Sequence, residues 1–176
     1  MLKTAFDSAL EIIATLVKDF KASEVHHLSP AYSEAQVRKD YIDNFWTALG
    51  WDVNHVAQRN PYEQEVKVEL SQRHGNYNKH ADYAFSLAPN FRDTLFIVEA
   101  KKPAKNLRDA DCCYQAVRYG YNAGNPFVLL HDFEQLLVLN STRKPNVETA
   151  AAQVSASKVW ALALFRSPDM PSIRLL

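Results

Sequence analysis

Apolar positions along this chain recur with two different periods. Over residues 4–22, Ala5, Leu10, Ile13, Leu16, Val17 and Phe20 fall at mixed three- and four-residue spacings, the stripe of an amphipathic helix. His26 to Pro30 read as a connection, because Pro30 and its polar neighbours stop a helix. A second helix opens at Ser33. Its hydroxyl can accept from the backbone of Gln36 while the Gln36 side chain reaches back, the spacing of a capping box. Val37, Tyr41, Phe45, Ala48 and Leu49 form the buried stripe of that helix, and Gly50 stops it. Trp51, Val53 and Val56 alternate, which predicts a short extended arm.

From there the period changes to two. Residues 57–64 are a polar loop, and Glu65 to Leu70 alternates as a strand with Val66, Val68 and Leu70 on one face. His74-Gly75-Asn76 predicts a hairpin connection, and His80 to Leu87 a second strand. Thr94 to Ala100 is apolar up to Glu99, so a third strand buried on both faces is expected, ended by Pro103. Arg108 to Tyr121 predicts a helix ended by Gly120 or Gly124. Pro126–His131 and Gln135–Leu139 predict two short strands joined by a turn at Asp132-Phe133-Glu134. A weakly patterned helix is expected from Val147 to Phe165, with Pro168 and Pro171 making the tail irregular. The order predicts an α/β domain with a mixed sheet. Three antiparallel strands come first, and a right-handed crossover then makes strands three and four parallel.

Composition narrows the picture. A chain of 176 residues with 47% hydrophobic and 23% charged residues is enough for one globular domain. The expected division of 1–176 is an N-terminal helix over 1–30, a core over 31–140 and a helical extension over 141–176. No run reaches transmembrane length, so no membrane is expected, and the N-terminus carries no signal-peptide core. Cys112 and Cys113 are adjacent, which suits neither a disulfide framework nor a zinc motif and predicts a reduced, cytoplasmic protein. His74, His80 and His131 also lack zinc spacing. The net charge of zero weighs against nucleic-acid binding. The local cluster of Lys101, Lys102, Lys105 and Arg108 weighs for it, although a solvated surface explains such a cluster equally well.

The chemistry concentrates in two segments. Asp82 lies in HADYAF, and Glu99-Ala100-Lys101 closes TLFIVEAKKP. Neighbouring strands would bring two carboxylates and an ammonium to one sheet edge. Glu99 and Lys101 are two apart and share a face, with Ala100 on the other. Two carboxylates suit a hard divalent cation, Mg²⁺ above all, with Mn²⁺ able to substitute. The lysine can orient a water or stabilise charge on a phosphate. An ion pair between Glu99 and Lys101 or Lys102 is the purely structural account of the same residues.

The segments YSEAQVRKDYIDNFWTALGWDV (32–53), NKHADYAF (78–85), FIVEAKKP (96–103), YQAVRYGYNAG (114–124) and FVLLHDFEQLLVLN (127–140) together resemble one family. It is the N-terminal nuclease domain of type I restriction motor subunits and of fused type IIG restriction-modification enzymes. The resemblance implies a restriction-endonuclease-like PD-(D/E)xK fold, a mixed central sheet flanked by helices. Asp82, Glu99 and Lys101 match the catalytic motif, although Ala81 stands where the name-giving proline would be, a position that varies widely in the superfamily. Glu34 resembles the early helical glutamate that completes the metal shell, and the carbonyl of Ala100 is an expected further ligand. Gln115 and Tyr119, four apart on one helix face, resemble the motif that follows the catalytic lysine in RecB-like nucleases. Lys102, Lys105, Arg118 and Tyr119 are expected DNA contacts on weaker grounds, and Glu69 is a candidate supporting acid or a partner of Lys79.

The implied activity is Mg²⁺-dependent hydrolysis of double-stranded DNA within a restriction-modification system. No P-loop, methyltransferase motif or base-reading module occurs. Motor, methyltransferase or specificity domains or subunits, in cis or in trans, are therefore expected partners. Two rivals stand beside this reading. One is a degenerate nuclease fold that binds nucleic acid or protein without catalysis. The other is a metal-dependent hydrolase acting on nucleotides or RNA.

Overall fold

The computed structural model describes residues 5–74 and 77–156. The expected hairpin tip at Gly75-Asn76, the remainder of the C-terminal helix beyond 156 and the proline-bearing tail lie outside the described residues, as do the side chains of His74, Lys79 and His80.

The first helix forms, but its packed face is not the expected stripe: Ala5, Leu10 and Val17 are exposed, while Ala9, Ile13, Leu16 and Phe20 pack toward the core. Helix α1 spans Ala5–Ala22, and Ala9 and Phe20 are its buried residues. A single turn, α2 (Glu24–His27), stands where a plain connection was expected, and buried His27 ties it down. His27 Nδ1 lies 2.9 Å from the carbonyl of Phe20, and Tyr41 Oη lies 3.2 Å from His27 Nε2. The second helix opens on the expected capping box. The Gln36 amide donates to Ser33 Oγ (3.2 Å) and the Ser33 amide to Gln36 Oε1 (2.8 Å). It is not uniform, however. Helix α3 (Glu34–Val37) passes into a π-helical turn over Arg38–Ile42, and α4 (Asp43–Ala48) follows. Gly50, with φ of 94°, ends it.

The expected extended arm at Trp51–Val56 is not a strand. The Asp52 carboxylate accepts from the amides of Val56, Ala57 and Gln58, each at 2.8 Å, and folds the segment into a turn. Trp51 and Val53 are buried there while Val56 is 71% exposed, so the alternation marked two core anchors rather than a pleat.

Among the described residues six strands follow in one sheet ordered β1-β2-β3-β4-β5-β6. β1 (Val66–His74) and β2 (Tyr77–Ser86) pair antiparallel out to His74↔Tyr77, further than the apolar alternation alone marked. β3 (Thr94–Ala100) pairs antiparallel with β2 and parallel with β4 (Phe127–His131), as expected of the crossover. The crossover helix α5 (Ala110–Ala123) is capped by Asp109 and closed by Gly124 at φ 70°. Gly120, inside this helix, packs directly on Ser141, where a β-carbon would collide with the serine side chain. β5 (Leu136–Asn140) returns antiparallel to β4.

The C-terminal helix is a correction. Helix α6 covers only Val147–Ala150, a 3-10 turn spans Ala151–Gln153, and Val154–Ala156 then forms β6, antiparallel to β5. An unpaired strand edge is a strong local template. Gln153 Nε2 donates to the Asn140 carbonyl (2.9 Å), which fixes the crossing onto that edge. β-branched Val154, opposite Leu139, suits a strand better than a helix.

The sheet carries a core on each face. One contains Phe20, Trp46, Trp51, Tyr83, Phe85, Phe96 and Val98 under α1–α4. The other contains Ile97, Cys113, Val117, Val128, Leu130 and Leu139 under α5 and α6. This is a mixed central sheet flanked by helices. Cys112 and Cys113 are buried free thiols in the second core. Among the described residues no helix is long and apolar enough to cross a membrane.

At the β4–β5 turn, Asp132 is fully buried. Its Oδ1 accepts from the Gln135 amide (2.6 Å), while Oδ2 has no partner. Burial pushes its carboxyl up to about 7. A folded-state pKa raised above the unfolded value gives stability that is present below pH ~4 and lost as pH rises through ~7. Asp132→Asn stays neutral throughout. Its melting temperature minus that of wild type is therefore expected to become more positive from pH 5 to about pH 7 and to level off by pH 8. A difference that stays constant over that range would contradict this account of Asp132.

Candidate active site

The sheet register brings the acids together. β2 and β3 pair as Tyr83↔Val98, so Asp82 stands one step further on, level with Glu99. The amide of Ala100 donates to Asp82 Oδ2 at 2.8 Å. Lys101 follows the last residue of β3, yet its amide still donates to the His131 carbonyl (2.9 Å), so the parallel ladder holds its backbone. Parity then acts as expected. Ala100 turns into the helix-α4 core, while Lys101 Nζ reaches Glu99 Oε1 at 2.7 Å. Glu99 and Lys101 are 3% and 6% exposed, an unusual depth for two ions.

Two helices complete the cluster. Glu34, the first residue of α3, places Oε2 3.8 Å from Lys101 Nζ. Gln115, on α5, donates from Nε2 to Glu99 Oε1 at 2.8 Å. Tyr119, one turn on, is buried, and that burial raises its pKa. The expected catalytic residues Asp82, Glu99, Lys101, Glu34 and Gln115 thus converge. The expected DNA contacts are more scattered. Lys105 is exposed, Lys102 is half-buried, and the Arg118 guanidinium lies over the ring of Tyr114, 5.4 Å from its centroid.

Sequence reasoning missed one member. Arg38 Nη1 donates to Asp82 Oδ1 at 3.0 Å and lies 3.5 Å from Glu69 Oε1. Its Nε donates to Tyr83 Oη (3.3 Å), and Tyr83 Oη in turn donates to Asp43 Oδ1 (2.6 Å). Glu69, expected as a supporting acid or as a partner of Lys79, has Arg38 as a neighbour. It stands across from Asp82 on β1 with a left-handed φ of 55°. A usable signal was present. Arg38 is one helical turn beyond Glu34, so the two share a face.

Burial pushes Glu99 up to about 7, and the charges of Asp82 and Glu34 add to the rise, against the attraction of Lys101. Burial likewise raises Asp82 and Glu34 above the ordinary carboxylate range. Burial by itself would lower Lys101, but Glu99, Glu34 and Asp82 around the ammonium hold its pKa above the usual value. Glu99 Oε2 is buried with no hydrogen-bond partner. A buried carboxylate oxygen without a donor is costly, and a cation is one way to satisfy it. Among the described residues the carboxyls of Asp82, Glu99 and Glu34 stand around Lys101 and Arg38. The residues therefore fit a divalent ion. Among the described residues no group of three or more His, Cys, Asp or Glu is placed to hold a metal by itself.

No protein-family model matches the chain. The chain is 32% identical over 148 residues, 82% of its length, to the type II restriction enzyme and methyltransferase RM.Eco57I of Escherichia coli. A fragment structure of a chain described as an HsdR subunit of a type I restriction enzyme from Vibrio vulnificus YJ016 aligns with 71% of this chain and 26% of that one, at 19% identity and a TM-score of 0.44. Over those 148 residues the chain is homologous to a restriction-modification enzyme, of whose length it spans 14%.

Proposed function

We propose that the chain is a Mg²⁺-dependent endonuclease domain of the PD-(D/E)xK type, hydrolysing DNA phosphodiester bonds within a restriction-modification system. The observation that carries this reading is the orphaned Oε2 of Glu99, deep in a cluster that holds Asp82, Lys101, Glu34 and Gln115 together. The 32% identity to a restriction enzyme and methyltransferase supports the same class.

Each residue then has a task. Asp82 and Glu99 hold the cation, Glu34 completes its surroundings from α3, and the Ala100 carbonyl is the proposed further ligand. When bound, the cation supplies Lewis acidity to the phosphoryl group and acidity to water. Gln115 fixes the rotamer of Glu99 through its 2.8 Å bond. Lys101, an ammonium at sheet level, places the attacking water and offsets charge gathering on the phosphate oxygens. Lys102, Lys105 and Arg118 are the proposed contacts to a duplex backbone, with Tyr119 acting behind Gln115. Motor, methyltransferase or specificity modules are the proposed partners.

One observation favours the non-catalytic reading. Asp82 and Glu99 are each already paired with a protein cation, Arg38 and Lys101. Calorimetric titration of Mn²⁺ into wild type and Asp82→Ala, with cleavage of duplex DNA, single-stranded DNA and RNA on the same samples, separates the readings. Duplex cleavage and metal binding, both lost in Asp82→Ala, are the expected result. A folded wild-type protein that binds no Mn²⁺ would leave only the non-catalytic reading. Preference for RNA would move the domain to a different class of hydrolase.

A further inference from the structure

The Arg38–Asp82 pair does more than support an acid. Asp82 is the proposed metal ligand, yet both of its oxygens are engaged. Oδ2 accepts from the Ala100 amide (2.8 Å) and Oδ1 from the Arg38 guanidinium (3.0 Å). The backbone bond is compatible with a cation, since it consumes one lone pair and brings little positive charge. The guanidinium is not equivalent. It carries a full charge beside the ligand oxygen, and its side chain is only 17% exposed, so solvent screens it weakly.

Arg38 also has somewhere to go. Glu69 Oε1 lies 3.5 Å from Nη1, with a side chain 68% exposed. Tyr83 Oη holds Nε, and the Tyr83 ring lies 5.1 Å under the guanidinium carbon. A short movement from Asp82 toward Glu69 would keep the cation paired and stacked throughout. The residue sits at the start of the π-helical turn Arg38–Ile42, a local irregularity of the kind found at functional positions.

We propose that Arg38 is an internal counter-ion that occupies Asp82 in the metal-free protein and yields it to the divalent cation, with Glu69 receiving the guanidinium. Arg38 is thus a positioning residue that sets the threshold for metal occupancy. It holds the acid in place until the cation arrives. The inference rests on Asp82 being a metal ligand, as proposed above.

The test is calorimetric titration of Mn²⁺ into the whole chain, in wild type, Arg38→Gln and Arg38→Gln/Asp82→Asn, with melting curves with and without metal. Arg38→Gln is expected to bind Mn²⁺ at least ~5-fold more tightly, because the competing charge is gone. Its metal-free melting temperature should fall and its metal-induced rise should exceed that of wild type. Both differences should vanish in the Asp82→Asn background. A role confined to structure would lower the melting temperature equally with and without metal and leave affinity unchanged or weaker, and that result overturns the inference. Should wild type bind no Mn²⁺, the functional reading falls and this inference falls with it. A wild-type measurement covers the case of an unfolded variant. In ¹⁵N-arginine-labelled protein, the Arg38 Nε resonance should shift along the Mg²⁺ binding isotherm. A resonance that stays fixed at saturation equally overturns the exchange.

Discussion

Under the proposed mechanism Lys101→Met is expected to cut DNA cleavage at least ~100-fold while leaving Mn²⁺ binding in place, because that mechanism gives the ammonium the charge developing in the reaction and not the metal. The substitution keeps the aliphatic stem that fills this buried position. Its effect on stability follows from Glu99. Breaking a buried ion pair by removing one partner ordinarily costs ~3–5 kcal/mol, since the other charge is left uncompensated. Here the carboxyl is already pushed up to about 7. Loss of Lys101, which lowers that pKa, moves it higher still, so Glu99 takes up a proton instead of standing as a bare anion. The cost is thereby capped, and it depends on pH. The variant should approach wild-type stability at pH 6 and fall behind it at pH 8, as the proton becomes more expensive to hold. Single-turnover cleavage, Mn²⁺ calorimetry and melting curves at the two pH values check the three statements. Cleavage at the wild-type rate would remove Lys101 from the reaction altogether.

The residues that made the site legible are those whose burial contradicts their chemistry. Glu99 closes an apolar strand, and an acid in that place needs a reason. Its alternation with Lys101 needs only the two-residue period of a strand, and the 2.7 Å contact follows from it. Gln115, Tyr119 and Glu34 entered through the resemblance to nuclease domains; helical spacing showed only that Gln115 and Tyr119 share a face, and the first-turn place of Glu34 has an ordinary electrostatic explanation. Arg38 was not found, because an arginine on a helix surface has an ordinary explanation. Only the fold shows that this face looks onto Asp82 across 44 residues of sequence. The same limit applies to the fold. β3, α5, β4 and β5 have strong local signals and lie close to where pattern and caps place them. The arm at Trp51–Val56 and the C-terminal helix are decided by partners far along the chain or off the pattern. Asp52 gathers three amides in one case, and the open edge of β5 recruits Val154–Ala156 in the other.

Trp46→Ala is expected to cost ~3–5 kcal/mol, a large share of the ~5–15 kcal/mol that holds a domain of this size together. The indole is fully buried where α4 meets the sheet. Its centroid lies 4.7 Å from that of Phe85, 5.8 Å from Phe96 and 5.8 Å from the buried His131 ring. Those three rings belong to β2, β3 and β4, the strands that carry or flank Asp82, Glu99 and Lys101. Trp46 is therefore the bolt between the α3–α4 helix, which brings Glu34 and Arg38, and the sheet, which brings the other acids. Its Nε1 makes no hydrogen bond, so Trp46→Phe forfeits packing volume but no polar partner and should cost less than ~2 kcal/mol. Urea denaturation of both variants measures this ordering, and alanine within 1 kcal/mol of wild type would contradict it. A second consequence separates this residue from a generic core position. In Trp46→Ala that is still folded, Glu34 and Arg38 lose their registration against the sheet before Asp82 and Glu99 lose theirs, because the acids on β2 and β3 are held by the ladder and by the Ala100 amide. Mn²⁺ binding should then survive in weakened form at temperatures where the helix face has already loosened.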